Sequence, residues 1–194
     1  STDSIIISDS WAFGGDTYGY AAGGYSTTRI DKFAFSSNTT ATDHGDLSEA
    51  KNGPSSSSST DYGFSAGGYS DVIDKFSFTS TGTATDHGDL ITSVRFAAGA
   101  SSSTHGFASG GYTSSSVNTI EKFAFSSNTT ASDHGDITVA RSGLVGHSSE
   151  NYGFISAGHD GSSYRKTIDK FAYSSNTTSS DHGDLAYSKY QPAG

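Results

Sequence analysis

The sequence predicts an all-β fold built from tandem repeats, on three observations. First, the segment RIDKFAFSSNTTATDHGDL (Arg29 to Leu47) returns as VIDKFSFTSTGTATDHGDL, TIEKFAFSSNTTASDHGDI and TIDKFAYSSNTTSSDHGDL. Anchored on isoleucine, the copies sit at Ile30, Ile73, Ile120 and Ile168, with periods of 43, 47 and 48 residues. Second, residue usage opposes helix: Gly numbers 24, while Leu, Met and Glu together number only seven. Third, apolar side chains inside each copy recur with period two, the signature of strands.

Each element of a unit follows from its residues. The copies are preceded by YGYAAGGY from Tyr18, YGFSAGGY from Tyr62, HGFASGGY from His105 and YGFISAGH from Tyr152. Large rings there alternate with Gly and Ala, so this strand's backbone approaches a neighbour closely. In IDKFAF, Ile30, Lys32 and Ala34 point one way while Asp31, Phe33 and Phe35 point the other. Apolar groups on both faces suit a sheet sandwiched between two others. SSNTT then supplies a turn, ATDHGDL a short return strand, and the variable Ser-rich stretch one more strand. Four strands in roughly 45 residues is the size of a propeller blade.

The expected architecture is a single repeat domain over 1–194, a four-bladed β-propeller of four-stranded antiparallel blades. Its units span approximately 10–47, 48–90, 91–137 and 138–185, with 186–194 as a closing tail. Ser10-Trp11-Ala12-Phe13 aligns with the innermost strand that the last unit lacks, which argues for ring closure. Two alternatives stay open: a larger ring completed by a second chain, and an open repeat array.

Composition narrows the function classes. Ser and Thr together number 61, and Leu, Ile, Val and Phe only 31, a balance that raises disorder. The 12 Phe and 11 Tyr in fixed slots, with a net charge of only −9, argue against it. Without Cys there is no disulfide frame, thiolate zinc site or cysteine nucleophile. Acidity without basic clusters opposes nucleic acid or anionic membrane as partner, and no apolar run is long enough to insert in a membrane. The chain begins at Ser1 and contains no Met, which predicts a mature or excised product.

A double glycine after a short strand, an I-D-K-F strand, then G-D-L and a cation followed by small residues resembles a Kelch-type repeat. The resemblance covers all four units and implies that the double glycine ends the second strand. It departs from the family in lacking the usual fourth-strand tryptophan and in having Ala157-Gly158 in the last unit. The Ser/Thr/Gly-rich style, with IDKF and GDL, also resembles repeats of tail-fibre-type proteins of marine phages. The Kelch-like copper oxidases use a cysteine–tyrosine cofactor, which a chain without Cys cannot build.

Several motifs admit a chemical reading and a structural one. DHGD occurs at Asp43–Asp46, Asp86–Asp89, Asp133–Asp136 and Asp181–Asp184. Its His and carboxylates are metal-ligand types. Fourfold recurrence favours a turn instead, in which Asp accepts backbone N–H bonds and Gly takes positive φ. No metal and no cofactor is therefore expected. The cations Lys51, Arg95, Arg141 and Lys189 share one slot, one residue later in the second unit, and suggest blade-to-blade ion pairs or a solvated rim. Asn38, Asn128 and Asn176 each open an N-T-T sequon in the same turn, candidate glycosylation acceptors or plain turn formers. Trp11 reads as a core plug or a sugar-stacking platform. With neither a G-x-S-x-G elbow nor a carboxylate pair outside the repeat, the expectation is not an enzyme.

Strand alternation places the loops. In an up-and-down blade, the second-to-third loop and the blade-to-blade loop emerge on one face and the N-T-T turn on the other. The first face is the variable one, where recognition resides on a repeated scaffold. Tyr25, Arg29, Tyr69, Tyr112, His159, Tyr164 and Arg165 are the candidate ligand-binding residues. The function expected is an extracellular or virion-surface recognition module for a host-surface glycan or protein. The alternative is an architectural subunit of a fibre or virion that binds copies of itself.

Overall fold

The computed structural model describes residues 17–191, and within them every regular element is a strand. The first sheet has three antiparallel strands, β1 (Tyr18–Ala22), β2 (Thr27–Ala34) and β3 (Thr42–Lys51). Three four-stranded antiparallel sheets follow. They are β4 (Ser55–Ser58), β5 (Tyr62–Ala66), β6 (Val72–Ser77) and β7 (Thr85–Asp89); β8 (Ala98–Ser101), β9 (His105–Ser109), β10 (Thr119–Ala124) and β11 (Ser132–Asp136); and β12 (Val145–Ser148), β13 (Tyr152–Ser156), β14 (Thr167–Ala172) and β15 (Ser180–Asp184). Sequential strands are neighbours throughout. The strand expected at Ser10–Phe13, and Trp11 with it, lie outside the described residues.

Within a sheet, the Y-G-F and D-K-F segments pair in a fixed register that sets Gly19 opposite Phe33 and Gly63 opposite Phe76, and likewise Gly106 with Phe123 and Gly153 with Phe171. Each Phe ring lies flat over the facing glycine, where any side chain would overlap it. The ring thereby covers bare backbone that would otherwise weaken the strand. The neighbouring lysine reaches back over the Tyr that opens the previous strand, with Lys32, Lys75 and Lys170 at 4.0, 4.1 and 3.9 Å from the Tyr18, Tyr62 and Tyr152 rings.

The core lies between sheets rather than within one. Ile73, Phe64 and Leu90 of the second sheet close on Phe123 and Ala131 of the third. Ile120, Phe107 and Ile137 of the third close on Phe171 and Ile155 of the fourth. Ile30 and Leu47 of the first meet Phe76 and Ala84 of the second. A stacked ring pair recurs at each contact: Tyr20–Phe78, Phe64–Phe125 and Phe107–Tyr173, at 4.8, 4.7 and 4.8 Å. Ile168, in the same slot as Ile30, Ile73 and Ile120, is only half-buried, because it lies on the outward face of the last sheet.

The Ser-rich strands explain the composition. β4, β8 and β12 lie side by side so closely that a methyl group on Gly99 would overlap the Ser56 carbonyl oxygen, and one on Gly146 that of Gly99. Only glycine permits that approach at these two positions. Hydroxyls then bridge from sheet to sheet: Ser58 N–H donates to Ser101 Oγ at 2.9 Å and Ser101 N–H to Ser148 Oγ at 2.8 Å.

DHGD proves to be a joint inside the return strand, and the turn reading is corrected to that extent. Its first Asp accepts from the glycine N–H, as in Gly135 to Asp133 Oδ1 at 2.8 Å, and the glycine takes a left-handed φ of 121°. The ladder shifts register at this point, a bulge that turns the histidine toward the next sheet. There His44, His87 and His134 place Nε2 at 2.7, 2.9 and 2.9 Å from the carbonyl oxygens of Ser77, Ala124 and Ala172. A carbonyl only accepts, so Nε2 carries the proton. The carbonyl of the second Asp accepts from the following sheet, as in Ala131 N–H to Asp89 O at 2.7 Å.

The shared cation slot is a second joint. Lys51 is fully buried and donates to the Gly67 and Val72 carbonyls, with Asp74 at 3.5 Å. Arg141 is equally buried, 2.7 Å from Asp169, and donates to the Ala157 and Ile155 carbonyls. These are sheet-to-sheet ion pairs, not a solvated rim. In the second unit Val94 fills the slot and joins the core, so Glu121 on the third sheet is left without a cation. Burial pushes its pKa up, against the hydrogen bond it accepts from Ile91 N–H.

Candidate functional site

The loops that follow β5, β9 and β13 begin with left-handed residues, at Gly67-Gly68, Gly110-Gly111 and Ala157-Gly158. These loops lie beside the segments that lead from one sheet to the next. Arg95 and Tyr112 exchange two backbone hydrogen bonds of 3.1 and 2.8 Å; Ser142 and His159 exchange two of 3.0 and 2.9 Å. A cleft of about 460 Å³ opens where these ribbons meet, lined by Arg95, Phe96 and Tyr112 on one side and by His159, Asp160 and Tyr190 on the other. Ser115, Ser116 and Ser142 add hydroxyls to its wall.

Arg95 is the centre of one wall. Displaced by one residue from the buried slot, its guanidinium lies 4.4 Å from the Tyr69 ring and 5.2 Å from the Tyr112 ring. A guanidinium packed against ring faces keeps its N–H donors, which lie in its own plane, available to a ligand. On the opposite wall, His159 and Tyr164 pack edge to face at 5.0 Å, and Tyr190 lies 5.9 Å from Tyr164. Asp160 accepts from the Ser162 and Ser163 N–H groups and from Arg165 Nε at 2.7 Å. Those bonds, the backbone ones foremost, hold its carboxyl well below the usual carboxylate range, so it remains an acceptor at any ordinary pH.

Of the residues expected to bind ligand, Tyr112 and His159 line this cleft, and Tyr69, Tyr164 and Arg165 support it through Arg95, His159 and Asp160. Tyr25 and Arg29 do not line it. Tyr25 is the most exposed large ring among the described residues, at 88%, and Arg29 is held on β2 by Asp31 at 3.0 Å and Asp43 at 3.7 Å. Sequence reasoning missed Arg95, Asp160 and Tyr190 as wall residues. The one-residue offset of Arg95 was the visible signal.

The other motifs sit elsewhere. All three sequon asparagines are exposed; Asn128 and Asn176 donate their side-chain amides across to the Asp86 and Asp133 carbonyls at 3.1 and 3.4 Å. Among the described residues no three His, Asp or Glu side chains converge to hold a metal ion. No protein-family model and no curated protein matches the chain.

Proposed function

We propose that this chain is a non-enzymatic recognition module, a Kelch-like β-propeller-type array at an extracellular or virion surface. Its unlike loops meet a host-surface glycan or protein. The observation that supports this reading is the cleft between the third and fourth units, with Arg95 between two tyrosines facing His159, Asp160 and Tyr190. Aromatic faces suit the C–H faces of a pyranose, and an arginine, a carboxylate and several hydroxyls suit its alternating donors and acceptors. Phe96, Ser115, Ser116, Asp160 and Tyr190 come from stretches where the four units differ, His159 replaces a tyrosine of the repeat, and Tyr112 is that tyrosine in the third unit. Most of the other repeated residues are engaged in joining sheets.

A glycan array probed with the intact chain tests the reading. Calorimetry with the best glycan follows, on wild type, Arg95→Ala and Tyr112→Ala. Each variant is expected to bind roughly tenfold more weakly or worse, since central, desolvated contacts carry most binding energy. A chain that binds no glycan and no host surface, or variants that bind unchanged, refutes it. The second reading, an architectural subunit, draws on the uncovered faces of the two outer sheets.

A further inference from the structure

Three times in this chain one sheet seats on the next through the same set of contacts, and the two outer sheets carry the two halves of that set with no partner sheet among the described residues. On the first sheet, Phe33 and Phe35 are 41% and 58% exposed, whereas Phe76, Phe123 and Phe171, the counterparts of Phe33, are at most 8% exposed. Ala41 is also exposed, although Ala84, Ala131 and Ser179 in its slot are buried and donate N–H to the preceding sheet. On the fourth sheet, His182 is exposed where His44, His87 and His134 are buried against a carbonyl. Nothing lies within 4 Å of a methyl built on Gly183, whereas the equivalent positions at Gly45, Gly88 and Gly135 abut backbone of the next sheet.

Charge follows the same division. The buried pairs Lys51–Asp74 and Arg141–Asp169 each join a cation of one sheet to an acid of the next. Lys189 after the fourth sheet and Asp31 on the first are the cation and acid of that slot at the two ends of the array; both are accessible to solvent, and Asp31 meets Arg29 of its own strand at 3.0 Å. The ring half of the joint is preformed as well. Phe154 and His182 stand 5.2 Å apart, close to the 5.0 Å of Phe64–His87 and Phe107–His134, ready for a stacked partner.

We propose that the chain assembles head to tail with a second copy of itself, the fourth sheet of one copy seating on the first sheet of the next. Phe35 then stacks on Phe154, His182 donates to the Ala34 carbonyl, Asp184 O accepts from Ala41 N–H, and Lys189 meets Asp31. Each of these repeats a contact already made three times, or twice for the ion pair. The occupant is a copy of this chain because both halves of the contact are written on it, in hydrophobic shape, hydrogen bonding and charge. Such a contact is heterologous: it closes into a ring if the rotation allows and otherwise extends as a filament.

Light scattering coupled to size exclusion, on the intact chain over a wide concentration range, tests this. Wild type is expected at twice its 20.0 kDa or a higher multiple. Phe35→Glu, at an exposed position that leaves the fold intact by circular dichroism, is expected to be monomeric. Asp31→Lys and Lys189→Asp are each expected to self-associate roughly tenfold more weakly or worse, since each opposes like charges in a desolvated contact. Mixing these two variants restores assembly, because both contacts in the mixed pair then join opposite charges. A monomeric wild type overturns the proposal. So does assembly indifferent to Phe35→Glu, or a mixture that stays apart.

Discussion

Arg141 is the most demanding test of how the sheets are held together. Its side chain is fully buried; one guanidinium nitrogen lies 2.7 Å from Asp169, and Nε donates to the Ala157 carbonyl at 2.8 Å. Asp169 is equally buried and keeps one other partner, the Thr138 hydroxyl at 2.7 Å. Arg141→Met preserves length and apolar stem but leaves the carboxylate uncompensated inside the contact between the third and fourth units. Breaking a buried pair in this way costs about 3–5 kcal/mol. A solvated pair would cost about 1 kcal/mol at most. Adding Asp169→Asn removes the stranded charge, and the double variant is expected to recover part of the loss. Its residual penalty is about 1 kcal/mol for each carbonyl left without its donor. Urea unfolding followed by tyrosine fluorescence reads both. A loss below about 1 kcal/mol, or a double variant less stable than the single one, would refute a buried ion-pair joint.

Three further outcomes are expected. Phe123→Ala, which empties the contact between the second and third sheets, should cost about 3–5 kcal/mol, and Phe33→Ala in the same repeat slot less than about 2 kcal/mol in the unassembled chain, as urea midpoints will show. Gly135→Ala should be more destabilising than Gly183→Ala. Both sit at a similar left-handed φ, 121° and 127°, but only the first methyl meets a neighbour, the Thr177 carbonyl oxygen at 2.5 Å. Glu121→Gln should be stabilising at neutral pH. Burial raises the folded-state pKa of Glu121, so the folded state binds its proton more tightly and stability falls as pH rises through that pKa. The gain should vanish below the ordinary glutamate range, a trend that melting temperatures across pH will reveal.

The strands were legible because the repeat declares them. Alternation in I-D-K-F and the glycines of Y-G-F leave one pairing that buries Ile30, Ile73 and Ile120 and sets each Phe over a glycine. DHGD was legible in residue type but not in target. The sequence shows an Asp able to accept from the glycine N–H, whereas the histidine's partner is a carbonyl about 33–38 residues further on, on another sheet. The cation slot was visible as a pattern. Its burial was not, since a lysine in a strand is ordinarily solvated and Lys51 is buried only because two carbonyls and Asp74 surround it. The difference between Ile168 and its three counterparts was beyond sequence: an acid, Lys and Phe follow each isoleucine alike, and what distinguishes Ile168 is that no sheet covers it among the described residues.

The offset at Arg95 separates residues that hold sheets together from residues left free for the proposed recognition role. A repeated residue placed between two sheets meets the same neighbour at each joint, so it satisfies that joint and has little left with which to discriminate. Lys51 and Arg141 illustrate the point, each spending its donors on carbonyls and an acid of the next sheet. One extra residue in the second unit delivers Val94 to that position and lifts Arg95 onto the loop face, between Tyr69 and Tyr112. The exchange is not free, since Glu121 then lies buried without a cation. A buried acid without a cation among the described residues, together with an arginine freed from the slot, is the physical mark of a joint that has been partly given up. The corresponding substitution of His159 for tyrosine marks the opposite wall of the same cleft. Departures from the repeat, read against the contact each one forgoes, therefore locate the site more sharply than the repeat itself.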